Sequence, residues 1–400
     1  MNIAYILNAT IPEGGATKSF LVMLKRLMQL GVSPLVVVPD REGIYQTLVD
    51  MGVPVLATTF RMNSWSHCDT LKDWLLFLPR MVAKIIANDR AAKILTRVFR
   101  ERGIDIVHTN VGPVSVGFRA ARRLGLPHVY HLREYGKKDF SILYFPSETS
   151  FYRQLNAPHS YNICITNDIQ LYHRQNDRPS SRVIYNGIRV AMDKMPAAAP
   201  VKDYFLFAGR IQPAKGVDTL LEAYARYCEK TISQHPTPNT QHPIPLRLAG
   251  GTTDSVYMKK LENFVKTHGL GQNVTFLGKR SDMDELMQHA RSIVIPSPNE
   301  GFGRCMPEAM FQGCLAIGHN TAGTKEQFDN GLRVTGKEIG LRYETTEELA
   351  SLLAEVSSRP ADYYRPYTER AFNVVNQLYT QESNAQQVYT FYQEILKENK

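Results

Sequence analysis

The chain has 400 residues, 43% of them hydrophobic and 21% charged, a globular composition too long for one ordinary core, so two domains are expected. Lys and Arg number 47 against 38 Asp and Glu, a net charge of +9. No run reaches the ~18 apolar residues of a membrane span, and the start, MNIAYILNAT, lacks the basic region and cleavage site of a secretory signal.

In chain order, the first half alternates short apolar runs with helical patterns. The strand candidates are Asn2–Leu7, Pro34–Val38, Pro54–Ala57, Asp105–Thr109, His128–Leu132, Asn162–Thr166 and Arg182–Tyr185. Their near-continuous hydrophobicity suits parallel strands covered on both faces. Helices fit between them, for example Thr17–Leu30 and Val114–Leu124, each followed by a glycine. Residues 71–103 hold eight basic and three acidic side chains, a net +5. Such a surface fits a phosphate-bearing substrate, an anionic membrane or nucleic acid. The last is the weakest reading, because RNA-binding signatures and zinc-finger spacings are missing.

Residues 189–203, RVAMDKMPAAAPVKD, have linker composition. A second α/β series follows, with strands expected at Tyr204–Ala208, Leu246–Ala249, Val274–Leu277, Ser292–Ile295 and Cys314–Gly318. Residues 231–245 read as a polar, Pro-rich loop, mobile and peripheral, and the chain after residue 345 reads as helical, closing with an amphipathic stretch over 386–400. Two doubly wound halves predict ligand binding in a cleft at the carboxyl ends of their sheets. The five cysteines (Cys68, Cys164, Cys228, Cys305, Cys314) contain no CxxC pair and read as reduced thiols of a cytoplasmic protein.

Three segments carry chemistry. Gly14–Gly15 precedes a helix whose N-terminus suits a phosphate, though a tight turn before a helix gives the same letters. In FAGRIQPAKG, Arg210 and Lys215 lie in a strand-to-helix loop, either as diphosphate ligands or as solvated surface cations. In PSPNEGFGRCMPEAM, Glu300 lies in a glycine-broken loop after a strand, and Glu308 lies beside Pro307 in the first turn of the next helix. Each carboxylate can accept hydrogen bonds from a vicinal diol, and a sugar plus a ribose offers two such diols.

With VIYNGI (183–188), LAGG (248–251), VTFLG (274–278) and the E-x7-E pair from Glu300 to Glu308 in order, the chain resembles a retaining glycosyltransferase of the glycogen-synthase-like family 4. That resemblance implies a GT-B fold: two Rossmann-like, doubly wound parallel-sheet domains facing a central cleft. The acceptor side would span residues 1–190 and the donor side 200–375, with a C-terminal helix at about 380–400 crossing back to the first domain. It implies further that Arg210 and Lys215 hold the donor diphosphate, and that Gly15 approaches the phosphates. Glu308 would bind the ribose, and Glu300, with the backbone of Phe302 and Gly303, the transferred sugar. His131 would stand beside that sugar. His108 is taken as structural, since Asn110 stands where many relatives have a second histidine. HNTAGTKEQF (319–328) departs from the family's proline, glycine-pair and Pro-Glu pattern, which leaves the preferred sugar open.

What the resemblance implies is a nucleotide-sugar donor (a UDP-sugar favoured), a glycan or lipid-linked acceptor, no cofactor and no metal. The reaction would be metal-independent retention by front-side attack in surface polysaccharide or glycolipid synthesis. It would occur in the cytoplasm, with contact to an anionic inner membrane face as an option. An epimerase of the same architecture and a non-catalytic nucleotide-sugar-binding subunit are the alternatives.

Overall fold

The computed structural model describes residues 1–8, 14–66, 70–197, 203–234 and 242–399; Cys68 and parts of the linker and of the Pro-rich loop lie outside them. The chain divides into two units, one of residues 1–187 and 381–400, the other of residues 188–380.

In unit 1 the order is β1 (Asn2–Ile6), α1 (Gly15–Gln29), β2 (Ser33–Val38), α2 (Tyr45–Asp50), β3 (Val55–Ala57), α3 (Leu71–Glu101), β4 (Ile106–Thr109) and α4 (Val116–Leu124). It continues with β5 (His128–Leu132), α5 (Lys137–Phe140), α6 (Glu148–Leu155), β6 (Ser160–Cys164), α7 (Asn167–Tyr172) and β7 (Ser181–Val183). These strands form a parallel sheet of order β3-β2-β1-β4-β5-β6-β7. Along β1, Ile3 and Tyr5 enter one hydrophobic cluster and Ala4 and Ile6 another. This period of two buries both faces, which is why the strand reads as continuously apolar.

Unit 2 runs β8 (Tyr204–Ala208), a 3-10 turn (Pro213–Lys215), α8 (Val217–Gln234), β9 (Leu246–Ala249), α9 (Ser255–Thr267), β10 (Val274–Gly278), α10 (Met283–His289) and β11 (Ala290–Ile295). Then come α11 (Cys305–Phe311), β12 (Ala316–His319), α12 (Ala322–Thr335), β13 (Leu341–Tyr343), α13 (Thr346–Ser358) and α14 (Arg365–Leu378). Its parallel sheet has the order β10-β9-β8-β11-β12-β13. The last helix, α15 (Gln381–Glu398), returns to unit 1 and packs on α1, burying Val388, Phe391, Tyr392 and Ile395.

Several expectations shift. Residues 231–234 continue α8 instead of opening the loop. Linker residues are held to unit 2: Arg189 forms an isolated parallel bridge with Thr380, and the Met192 amide donates to Asn376 Oδ1 at 2.9 Å. Strand β13 is additional to the expected set. The first turn expected at Val114 belongs to the approach to α4, which begins at Val116.

Candidate donor and polar centres

In unit 2 the strand order reverses direction between β8 and β11: from β8 the chain moves outward to β9 and β10, and from β11 the other way to β12 and β13. Loops leaving the carboxyl ends of two such strands diverge and leave a crevice, the usual ligand position of open α/β sheets. The loop after β8 carries Arg210 and Lys215, and the loop after β11 carries Glu300, Phe302, Gly303 and Arg304.

In this chain the two loops also touch one another. Lys215 Nζ donates to Glu300 Oε1 at 2.6 Å, with the two side chains 24% and 14% exposed. The backbones are close as well. Gly216 has φ +65°, and a Cβ there would lie 2.4 Å from the Pro296 carbonyl oxygen, so only glycine lets the 3-10 turn pass the β11 loop at this distance. The Ser297 hydroxyl donates to the Ala214 carbonyl at 2.9 Å. Arg210, at the start of the same β8 loop, is exposed.

The Glu300 loop is held from its other side by α12. The Gly323 amide donates to the Glu300 carbonyl at 2.9 Å, and a Cβ on Gly323 would lie 2.7 Å from that oxygen. Gln327 Nε2 donates to the Phe302 carbonyl. The Phe302 ring is buried edge-on against Tyr379, with centroids 5.4 Å apart. HNTAGTKEQF thus forms the seat of Glu300. Within it Ala322 takes φ 49°, a left-handed conformation that costs a residue with a Cβ about 1 kcal/mol or more.

Glu308 lies in the first turn of α11, where a carboxylate is favoured by the free N–H groups. Arg304, one helical turn earlier, donates to Glu308 Oε1 at 3.0 Å, the side chains being 16% and 26% exposed. The sequence reading missed Arg304; its spacing of four from Glu308 was the available signal. Cys305 lies between the two ion pairs. Burial, then Glu308 and Glu300, pushes its thiol up to about 12, so it is an inert thiol.

Gly15 and His131 belong to unit 1. Gly15 is the first residue of α1, exposed beyond the carboxyl end of β1, and Ala9–Glu13 lie outside the described residues. His131 is fully buried near the carboxyl end of β5 and belongs to a polar cluster. Arg133 donates through Nη2 to His131 Nδ1 at 3.3 Å, through Nε to Asn110 Oδ1 at 3.0 Å and through Nη1 to Asn186 Oδ1 at 2.6 Å. A guanidinium only donates, so His131 Nδ1 accepts and the ring proton sits on Nε2. His108 Nε2, 3.2 Å from the same Nδ1, is then a donor. The Tyr392 hydroxyl of α15 donates to His108 Nδ1 at 2.5 Å. Burial, and then the Arg133 charge, holds both imidazoles well below their usual range, which keeps them neutral. The Nε2–H of His131 is buried with no hydrogen-bond partner among the described residues.

Next to Arg133, Glu134 is raised to about 7, chiefly by burial and then by Asp139, with Arg133 opposing. Its Oε1 is likewise buried without a partner. Among the described residues, no group of three or more His, Cys, Asp or Glu side chains is placed to hold a metal ion.

Comparison with known proteins bears on both units. Residues 13–191 match the model of Glycosyltransferase Family 4, and residues 193–373 that of Glycosyl transferases group 1. The chain is similar to the uncharacterized glycosyltransferase MJ1178 of Methanocaldococcus jannaschii, 26% identical over 55% of this chain and 57% of that one. It is also similar to the D-inositol 3-phosphate glycosyltransferase of Saccharomonospora viridis, 30% identical over 46% of this chain and 39% of that one. The matches thus span little more than half the length of these curated relatives, or less. Among solved structures, Anabaena Alr3699/HepE in complex with UDP superposes with a TM-score of 0.74 at 20% identity, covering 98% of this chain and 100% of that one. A glycosyltransferase from Rickettsia africae superposes with a TM-score of 0.76 at 17% identity, covering 99% and 98%. Identities this low establish the fold alone, and that fold is GT-B. With one family model on each half, the chain belongs to the glycosyl transferases of group 1, its N-terminal half being a glycosyltransferase family 4 domain.

Proposed function

We propose that this glycosyltransferase moves a sugar from a nucleotide-sugar, a UDP-sugar in the first instance, to a glycan or lipid-linked acceptor, with retention at the anomeric carbon and without a metal ion. The observation that carries this reading is the Lys215–Glu300 pair, held at 2.6 Å by the loops that leave β8 and β11 at the switch point. An ammonium has three N–H donors, and Glu300 takes one. The others serve a diphosphate, together with Arg210 of the same loop, while Glu300 and the Phe302–Gly303 backbone serve the sugar. Glu308, steadied by Arg304 on one oxygen, has its other oxygen for a ribose diol.

Charge builds on the leaving diphosphate as the glycosidic bond lengthens, and fixed cations stabilise that state more than the ground state. Lys215 and Arg210 therefore act on the leaving group. We read His131 as a neutral donor whose Nε2–H fixes a sugar hydroxyl, since its other nitrogen is already committed to Arg133 and His108. The UDP found with the Anabaena protein supports uracil as the base to test first. A cytoplasmic place in surface polysaccharide or glycolipid synthesis completes the reading.

The test is a panel of UDP-, GDP- and ADP-sugars scored by protection against thermal unfolding, followed by the anomeric configuration of the product by NMR, with and without EDTA. Protection by a UDP-sugar, a retained anomer and activity indifferent to chelation are expected. An inverted product, or activity lost to EDTA and restored by a divalent ion, overturns the corresponding part. Binding without any transfer identifies a non-catalytic subunit.

A further inference from the structure

Helix α3 has an outer face that the fold of unit 1 does not cover. Its inward side buries Met81, Asn88, Ala91, Ala92, Leu95 and Phe99, and Phe77 stacks on Trp65 with ring centroids 5.8 Å apart. Phe77 is therefore not part of the outer face. Leu71, Trp74, Leu75, Leu78, Val82 and Ile85 recur every three or four residues, so they share one side of the helix. All are 48–78% exposed.

The second half of the helix is different on its outer side. Arg90, Lys93, Arg97 and Arg100 are exposed there, and Arg122 and Arg123 of the adjoining α4 are exposed as well. Asp73, Asp89 and Glu101 answer part of this charge, through Arg80 at 2.7 Å, Lys93 at 2.8 Å and Arg97 at 3.9 Å, with Arg123 also 3.4 Å from Asp89, leaving residues 71–103 at a net +5. A helix of 31 residues is about 46 Å long. It presents an apolar half and a basic half in succession along that length.

We propose that this face of α3 docks on an anionic lipid bilayer, the apolar half seated at the boundary of headgroups and acyl chains and the basic half lying on lipid phosphates. Trp74 suits the interface because its ring is apolar and its N–H polar. Charge selects this occupant over a second copy of the chain. A second copy would cover the apolar half but bring the same cations to the contact, whereas a bilayer with anionic lipids satisfies both halves together. Among the described residues no helix is long and apolar enough to cross a membrane, so the contact is peripheral. The proposal is independent of the donor site, and its failure leaves that site untouched.

The chain has two tryptophans, Trp65 and Trp74. Trp65→Phe keeps an aromatic ring against Phe77 and Phe145 and leaves Trp74 as the sole reporter. Full-length protein is mixed with vesicles of phosphatidylglycerol and phosphatidylcholine, or of phosphatidylcholine alone, and read by co-sedimentation and Trp74 emission. Expected are binding to the anionic vesicles only, a blue shift of Trp74, and loss of both with salt. Replacing Arg90, Lys93, Arg97 and Arg100 with Gln weakens binding by on the order of 10²- to 10³-fold, at about fivefold per cation. Leu75→Ser with Leu78→Ser weakens it at least about tenfold while leaving UDP protection unchanged. Protein that stays in the supernatant with anionic vesicles at low salt overturns the proposal, as does pelleting with Trp74 emission unchanged. A dimer in lipid-free sedimentation that the two serine changes dissociate would assign the face to a second copy instead.

Discussion

Removing the Lys215 ammonium tests the donor site most directly. In the structure it donates to Glu300 at 2.6 Å, both side chains being largely but not fully buried. Lys215→Ala then has two consequences with separate readouts. The first is a modest loss of stability, about 1 kcal/mol, between the small worth of an exposed ion pair and the larger cost of stranding a buried charge. In a double-mutant cycle with Glu300→Gln, the pair should couple by a similar amount. The second is loss of grip on the diphosphate. If Lys215 contributes a charge-assisted hydrogen bond there, Kd for UDP rises roughly 10²-fold, about 2.7 kcal/mol. At UDP set to about 100 times the wild-type Kd, protection against unfolding falls from about 2.7 to about 0.4 kcal/mol. Turnover should fall by 10²-fold or more, since the same cation meets charge that grows in the transition state. Thermal unfolding with and without UDP gives the first two quantities, and steady-state transfer the third. A Lys215→Ala chain that UDP protects as well as wild type refutes the diphosphate role. Zero coupling with Glu300 refutes the pair in solution.

The two carboxylates should divide their work: Glu308→Gln weakens UDP measured alone by calorimetry, because the ribose is part of UDP, while Glu300→Gln spares UDP and depresses transfer. Equal weakening of UDP by both would contradict the assignment. In unit 1, a carboxyl raised to about 7 against an ordinary 4.5 binds a proton more tightly folded than unfolded. Its contribution is therefore full below about pH 4.5 and is lost as pH rises through 7; Glu134→Gln should flatten that decline and gain on the order of 1–3 kcal/mol above pH 7. Parallel unfolding curves for the two chains across pH 5–8 would count against the raised carboxyl. Tyr392→Phe removes the donor to His108 Nδ1 and leaves a buried acceptor unmet, which should cost about 1–3 kcal/mol in denaturant melts. An unchanged midpoint would show that this hydroxyl does not hold the imidazole.

The strands and the donor loops were legible in the sequence for one physical reason, and the unit 1 cluster was not for another. Strands buried on both faces leave unbroken apolar runs, as in Tyr204–Ala208, and a loop after such a run lies at a carboxyl end whatever the rest of the chain does. Lys215 and Glu300 are found that way, although 85 positions separate them. Strand β13 escaped because Leu341–Arg342–Tyr343 is three residues with a charge in the middle, too short for a period to show. Cation–carboxylate geometry is only half written in the sequence: GRCMPEA gives Arg304 and Glu308 a spacing of four, which permits a pair on a helix, while the 3.0 Å contact itself is seen only in the fold. The polar cluster joins His108, His131, Arg133, Asn186 and Tyr392, drawn from β4, β5, a loop and the last helix. The His108–Tyr392 contact spans 284 positions, and no local pattern encodes that.

Asn110 shows how a departure from a family pattern acquires a physical meaning. The sequence marks it as the place where many relatives carry a second histidine, and on that basis His108 is taken as structural. In the fold, Asn110 and Asn186 each give Arg133 a neutral amide oxygen. A carboxylate in either place would cancel the guanidinium charge, and an imidazole would accept from it in only one tautomer. Held by two amides, Arg133 keeps its charge beside His131, and that charge adds to burial in keeping the ring neutral. The same guanidinium fixes the tautomer by occupying Nδ1. His108 then does more than fill space, because its Nε2–H and the Tyr392 hydroxyl extend the same ordering back to α15. In the proposed reaction unit 2 supplies the fixed charges that meet the diphosphate, and unit 1 supplies an uncharged donor whose proton position is set in advance.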